Sequence, residues 1–407
     1  MRYALALEGG GAKGAYQMGA VKALYELGFE FEAVVGTSVG ALNGAMIAQG
    51  DFKRAYKLWE NMKPSMVVDM TDSEYQKLMN LQLEREDWKT IRFRLAKLIK
   101  DGGVDTAPLR ALVADYIDEE KLRQSPVDFG LVTISLTDFK GMELYKNEIP
   151  PGQITEYVLA SANHPAFKNE PLVGKRFTDG GMFDNLPINL LLRRGYVNII
   201  AIRIFGLGMK QRYDSSRANM IEIAPREDLG GTFDFTPEKT KHNLQLGYYD
   251  VYRHFQKLRG DQYYLRMDRS ASEILDTLFA LDDDVIQSIA EEMGLDEDMP
   301  AKRLLLEKVV PMIARYLEVD AKADYDEIAI QLLDHVAAQL EIPRFKIYDF
   351  SQFYHLVCDH YETKETSDMS SFVRKIPYGG FVSKQVREEL HYQIMKYVFL
   401  LEDLFQK

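Results

Sequence analysis

A single cysteine, Cys358, stands in 407 residues, so no intrachain disulfide can form and a reducing compartment fits the chain. Its surroundings, Phe350-Ser351-Gln352-Phe353-Tyr354-His355-Leu356-Val357-Cys358, read as an aromatic helix face. Burial, not nucleophilic chemistry, is the expectation for this thiol. No run reaches the roughly 18 uninterrupted apolar residues that a membrane span needs. The opening stretch Met1–Leu7 is too short for a signal peptide and meets Glu8 and glycines at once. The expectation is a cytoplasmic protein, with transient contact at a membrane surface left open. Basic residues are also in deficit: 50 Lys and Arg face 62 Asp and Glu, a net charge of −12. That excludes nucleic acid as the main partner, because phosphate binding needs a basic surface. It also disfavours simple electrostatic docking to anionic membranes, a local basic patch aside. No compact His/Asp/Glu cluster is present, and Leu281-Asp282-Asp283-Asp284 lacks the spaced ligands and glycine of a calcium loop. That acidic run reads as a helix N-terminus or a solvated turn, and neither metal nor cofactor is expected.

What is present is an ordinary globular composition, 46% hydrophobic and 28% charged, in a chain long enough for two domains. Residues 3–7 form a short strand that stops at Gly9-Gly10-Gly11. Ala15 to Leu27 has helical spacing and ends at Gly28. Ala33-Val34-Val35 is a second strand, leading into Gly36-Thr37-Ser38-Val39-Gly40 and a helix of small residues. Two strand–turn–helix units in succession predict an α/β fold with a mainly parallel sheet. Further strands are expected at Phe129–Leu136, paired with Glu143–Tyr145, and at Asn198–Ile204. Past residue 262 strand signals fade, and helices are predicted over 272–292, 301–319, 326–341, 350–361 and 383–405. The division expected is a catalytic domain over 1–260 and a helical C-terminal region over 261–407.

Three glycine motifs carry the chemistry. Gly36-Thr37-Ser38-Val39-Gly40 matches G-x-S-x-G, in which a serine sits on a sharp strand-to-helix turn between residues that must lack side chains. The helix that follows aims its N–H groups and dipole at the serine oxygen. Gly9-Gly10-Gly11-Ala12-Lys13-Gly14 is a loop whose N–H groups can converge on an oxyanion or a phosphate. It also fits the glycine pattern of a dinucleotide site, so a nucleotide-binding reading stays open, although no acidic residue closes the second strand. A P-loop is excluded, since Ala15-Tyr16 follows Gly14 where Lys and Ser or Thr are needed. Asp179-Gly180-Gly181, on its own, reads as a hairpin turn. Seven histidines offer a base for Ser38. Only His164 lies inside the core of the α/β region, where a loop or structural role is expected for it.

Taken with Ala160-Ser161-Ala162-Asn163-His164-Pro165-Ala166-Phe167 and Asp184-Asn185-Leu186-Pro187, these motifs resemble the patatin-like phospholipases. That family has an early GGGx[RK]G loop, a GxSxG elbow on a following strand, and a late DG[GA] motif. The resemblance covers about residues 3–255, including Leu246-Gly247-Tyr248-Tyr249-Asp250, and leaves the tail unexplained. It implies a three-layer α/β/α fold and a serine lipid acyl hydrolase acting on glycerophospholipid or lysophospholipid esters. Ser38 would be the nucleophile and Asp179 its partner. Gly9, Gly10, Gly11 and Lys13 would form the oxyanion hole, with Gly36 and Gly40 shaping the elbow and Gly180 and Gly181 the aspartate loop. Lys13 stands where many members carry arginine, which keeps the charge but loses the bidentate fork. A catalytically silent binding module is the rival within the family. Residues 62–100, with Met62, Met66, Val67, Val68, Met70, Leu78, Met79 and Leu81, fit either a lid or a core-packed insertion, with Arg94, Lys97 and Lys100 on a solvated face. Tyr392, Ile394, Met395, Val398, Phe399 and Leu401 fit a core stripe or a homodimer contact through the C-terminal helices.

Overall fold

The computed structural model describes residues 2–69, 103–295, 298–317, 319–320 and 323–363. The chain divides into two compact units, Met1–His254 and Phe255–Lys407. In the first, seven strands form one sheet: β1 (Arg2–Leu7), β2 (Glu30–Thr37), β3 (Asp128–Ser135), β4 (Lys140–Tyr145), β5 (Phe177–Asp179), β6 (Asn198–Ile202) and β7 (Asn219–Ile223). Their spatial order is β4-β3-β2-β1-β6-β7, with β5 also on β3. The pairs β3–β2, β2–β1, β1–β6 and β6–β7 are parallel, whereas β4 and β5 run antiparallel to β3. The predicted strand at 198–204 ends at Ile202, because Ile204 N–H leaves the sheet for the Glu8 carboxylate.

The apolar runs of the central strands follow from burial on both faces. On one side Ala4, Ala6, Ala33, Val35, Ile199 and Ala201 pack against Leu190 and Leu191 of the helix Ile188–Arg193. On the other, α2 (Val39–Ala48) crosses so closely that a Cβ on Gly44 would stand 3.1 Å from Val34 Cγ1. α1 (Gly14–Glu26) is buried along most of its length, and α3 (Phe52–Glu60) follows α2. Of the segment 62–100, the residues beyond Asp69 lie outside those described.

The helix Pro237–Gln256 explains the Leu246–Asp250 segment. It crosses α1 so tightly that a Cβ on Gly247 would lie 2.0 Å from Tyr16 O. Beside that crossing Tyr16 Oη donates to Asp250 Oδ2 at 3.0 Å.

The second unit has its own core, with Ile286, Leu304, Leu305, Ile330, Phe353 and Val357 buried. Cys358 is buried in it, as the sequence suggests. The helix predicted over 272–292 is two, Ala271–Phe279 and Asp283–Glu292, the second with Asp282 at its N-cap. The acidic run is thus a helix start, where carboxylates oppose the positive dipole end. The helix predicted from 301 contains a π-turn at Leu305–Val309, whose cause is Pro311. Proline donates no N–H and crowds the carbonyl four residues back. Strand structure does not cease at 262: Tyr264–Arg266 pairs in parallel with Ile347–Asp349. Each is three residues long, too short to leave an alternating pattern. The helix predicted over 383–405 lies outside the described residues. Within those described, no helix is long and apolar enough to cross a membrane.

Gly247→Ala is expected to cost about 1–3 kcal/mol by overpacking the crossing on α1, read as a lowered urea midpoint. An unchanged midpoint would contradict that packing.

Candidate active site

Every predicted site residue lies at one edge of the sheet, where β1, β2 and β6 end. The register creates the arrangement. β2 pairs with β3 as far as Thr37 opposite Val132 and then stops, while β3 continues to Ser135. β5 pairs with the remainder of β3, placing Asp179 opposite Thr133. Because β4 occupies the far side of the same residues, with Met142 opposite Thr133, β5 takes the lane that β2 vacates. Ser38, next after Thr37, therefore comes beside Asp179, and both residues line one cavity.

Ser38 has φ 56° and ψ −125°, a sparsely populated conformation for a residue with a side chain. Such strain costs on the order of 1–3 kcal/mol and persists only when surroundings enforce it. Here Ser38 N–H donates to Ser161 Oγ at 3.0 Å, and Ser161 Oγ in turn donates to Val132 O at 2.6 Å. One turn on, Ala41 and Leu42 N–H close on Ser38 O. The glycines flanking the serine serve the sharp turn, since a Cβ on Gly36 would stand 2.2 Å from the Gly40 carbonyl, and one on Gly40 would stand 2.4 Å from Leu7 O.

Asp179 is buried, and burial pushes its carboxyl up to about 6, against the lowering effect of hydrogen bonds from Ser38 and from Gly181 N–H at 2.8 Å. The glycine loop faces this pair. Among the described residues, the N–H groups of Gly10 and Gly11 have no protein acceptor, and both residues line the cavity that Ser38 and Asp179 also line. Gly9 has a different task, as its N–H donates to Asn185 O at 3.0 Å. Lys13 Nζ donates to Phe205 O at 3.3 Å, fastening the loop after β6 to the glycine loop.

Several positioning residues carried no assigned role in the sequence. Asn185 Nδ2 donates to Gly9 O at 3.1 Å, and Thr37 Oγ1 donates to Asp184 O at 2.7 Å, so the Asp184-Asn185 pair ties the glycine loop to the elbow. Asp184 itself is pushed up to about 7 by burial. Gln17 Nε2 donates to Glu8 O, and Asn43 Nδ2 donates to Gly14 O and Gln17 Oε1. Trp59 Nε1 closes the chain on Asn43 Oδ1. This buried network links α1, α2 and α3 beneath the site. Polar residues inside otherwise apolar helices, such as Gln17 and Asn43, are its signal in the sequence.

The cavity measures about 340 Å³ and is walled largely by apolar side chains, among them Leu42, Met46, Met62, Val113, Phe167 and Phe233. His164 stands in its wall, edge-on to Phe233 at 5.0 Å, and burial lowers its pKa. Its Nδ1 accepts from Ala166 N–H at 3.2 Å, the structural role expected of it. Among the described residues no group of three His, Cys, Asp or Glu side chains is placed to hold a metal ion.

Residues 5–192 match the family model for patatin-like phospholipase, a span that contains the glycine loop, Ser38 and Asp179. The chain carries a patatin-like phospholipase domain. Patatin-like phospholipase domain-containing protein 7 of Rattus norvegicus is 25% identical over 211 residues. The patatin-like match covers 49% of this chain but only 13% of that relative's length. Lysophospholipase nte1 of Aspergillus terreus is 51% identical over 45 residues, 11% of this chain and 3% of that protein. The crystal structure of VipD from Legionella pneumophila aligns with a TM-score of 0.40 at 17% identity, over 98% of this chain and 91% of that one.

The buried carboxylate gives the patatin-like domain a testable stability signature. Because the folded pKa of Asp179 is raised from 3.8 to about 6, its ionisation opposes folding, and stability is lost as pH rises between those values. Asp179→Asn removes the charge, so it is expected to stabilise the protein by about 2–3 kcal/mol at pH 8. The advantage should vanish below about pH 3, where the carboxyl is protonated in both states. Denaturant titrations at the two pH values check this, and equal effects at both would contradict it.

Proposed function

We propose that this domain hydrolyses carboxylic esters of glycerophospholipids or lysophospholipids, with Ser38 as nucleophile, Asp179 as general base and an acyl-enzyme intermediate. The observation that carries the reading is that Ser38, on its strained elbow, and the buried Asp179 carboxyl line one cavity with Gly10 and Gly11, whose N–H groups have no protein acceptor among the described residues. An ordinary exposed carboxylate is a weak base toward an alcohol, and raising its pKa toward the working pH improves it. The family match and the relatives named phospholipase and lysophospholipase support the substrate class.

As Ser38 Oγ attacks the ester carbonyl carbon, its proton passes to Asp179. The carbonyl oxygen gains negative charge and takes the N–H groups of Gly10 and Gly11, with the N-terminus of α2 adding positive potential. Collapse breaks the ester C–O bond, and Asp179 returns the proton to the departing alcohol oxygen. Water then gives a proton to Asp179 and attacks the acyl carbon. The second collapse restores the Ser38 hydroxyl and releases the fatty acid. The acyl chain occupies the apolar cavity beside Ser38, where burying each methylene is worth about 0.8 kcal/mol. His164 contributes cavity wall and no proton, because its Nδ1 is engaged with backbone and its charged form is disfavoured.

Fatty-acid release from lysophosphatidylcholine by the whole chain tests the reading. Ser38→Ala is expected to lower kcat by about a thousandfold or more, and Asp179→Asn by a comparable factor. In the wild type kcat/KM should fall as pH drops below about 6, when the Asp179 carboxylate takes up its proton. Full activity in the alanine variant would refute the assignment.

A further inference from the structure

Five large apolar side chains among the described residues are more than half exposed, and all five project from the edge of the sheet that carries Ser38. They are Phe139 at 92%, Met182 at 55%, Phe205 at 51%, Leu207 at 92% and Met209 at 65%. Scattered exposed hydrophobics are normal on a soluble protein, whereas a cluster at the mouth of an apolar cavity marks an interaction surface. The cluster is continuous with the cavity, since Met182 and Leu207 also line it.

The side chains are held outward by their backbone. Buried Glu8, at the end of β1, accepts from Ile204 N–H at 2.7 Å and Phe205 N–H at 2.9 Å through Oε2. Met209 N–H donates to Gly181 O at 2.8 Å, so the loop after β6 is stapled to the aspartate turn. Phe139 stands at the tip of the β3–β4 hairpin, which reaches the same turn through Phe183, whose ring covers Gly141. Phe139 and Phe205 both have positive φ, 51° and 47°, a conformation bulky residues rarely adopt. Both rings are thus presented at turn tips and not folded back onto the core.

Charge selects the partner. Residues 203–213 carry Arg203, Lys210 and Arg212; Arg203 pairs with Glu8 and Glu222 and Lys210 with Glu8, so the exposed cations there without an ion pair among the described residues are Arg212 and, on the hairpin, Lys140. Lys140 adjoins Phe139, Lys210 adjoins Met209, and Lys13 reaches Phe205 O. Arg176 O accepts from Leu136 N–H at the base of the hairpin tip. The acid of that tip, Asp138, is paired with Lys175 at 2.6 Å. Apolar tips flanked by the exposed Lys140 and Arg212 suit the interface of an anionic bilayer, where side chains sink below the headgroups and Lys and Arg meet phosphate. The loop after β6 also falls outside the family match at 5–192.

We propose that Phe139, Met182, Phe205, Leu207 and Met209 form a docking surface for an anionic phospholipid bilayer, seating the mouth of the Ser38 cavity on the membrane. The proposal rests on the reading of that cavity as a lipid-ester site. A lipid can then pass from the bilayer into the cavity without exposing its chains to water.

Vesicle co-sedimentation of the whole chain tests the proposal, in a Ser38→Ala background so that binding is read without hydrolysis. The protein is expected to bind vesicles of equal parts phosphatidylcholine and phosphatidylglycerol more tightly than pure phosphatidylcholine, and less tightly as salt rises. The triple variant Phe139→Asn, Phe205→Asn, Met209→Ser should lose about tenfold or more of the partition. Asparagine tolerates positive φ, and none of the three side chains lines the cavity, so hydrolysis of a soluble short-chain ester in the Ser38 background should be unchanged. Met209→Ser alone should weaken vesicle binding about threefold, which keeps the test readable if the triple variant misfolds. Equal binding by the parent and both variants, or no binding to either vesicle, would overturn the proposal. Patch-dependent vesicle binding by a protein that hydrolyses neither ester nor lipid would refute the catalytic reading and leave the docking surface standing.

Discussion

β3 is staggered against the strand beside it and runs on past its end, and the site depends on that offset. β2 ends at Thr37 opposite Val132, so three residues of β3 remain to be paired on that side. An unpaired strand edge leaves N–H and C=O groups without partners. β5 fills the gap in the antiparallel sense and ends on Asp179, one residue along β3 from the point where Thr37 stopped. A serine and an aspartate separated by 141 positions in sequence thereby become neighbours through backbone pairing alone. The remaining parts of the site refine this placement. Ser161 holds the strained Ser38 backbone, Asn185 anchors Gly9, and Gly181 N–H fixes the carboxylate.

Burial of Asp179 has opposite consequences for folding and for chemistry. A carboxylate removed from water, with a backbone N–H in place of full hydration, destabilises the fold when ionised. The same environment makes it a better proton acceptor for the Ser38 hydroxyl. The fold tolerates the cost because Asp179 sits at the end of a strand whose other residues, Phe177 and Thr178, are buried and paired. The buried carboxyl also lines the apolar cavity in which an acyl chain would be held.

The legible parts of the sequence were those whose causes are local. Gly36 and Gly40 could be read because a sharp strand-to-helix turn demands residues without side chains at those spacings, and the structure places each against backbone. The buried strands were legible as short apolar runs, and Asp282 as a helix start. Other features have causes far off in the chain. Gly9 N–H is engaged by Asn185 O, 176 positions away, so the glycine triplet could not reveal which of its amides remain free. Glu8 is buried because Ile204 and Phe205 N–H groups reach it, and nothing around Glu8 announces that. The break within 272–292 was hidden because both halves keep helical spacing, and the three-residue strands of the second unit are too short to show a period.

The central claim is that Asp179 activates Ser38, and the pH dependence of fluorophosphonate labelling tests it most directly, with the adduct mapped by mass. In wild type, the account predicts an adduct on Ser38 whose rate of formation rises with pH through a midpoint near 6. In Asp179→Asn the rate should be far lower and flat across that range. An adduct on another residue, or a labelling rate at Ser38 that is indifferent to the aspartate, would contradict the account.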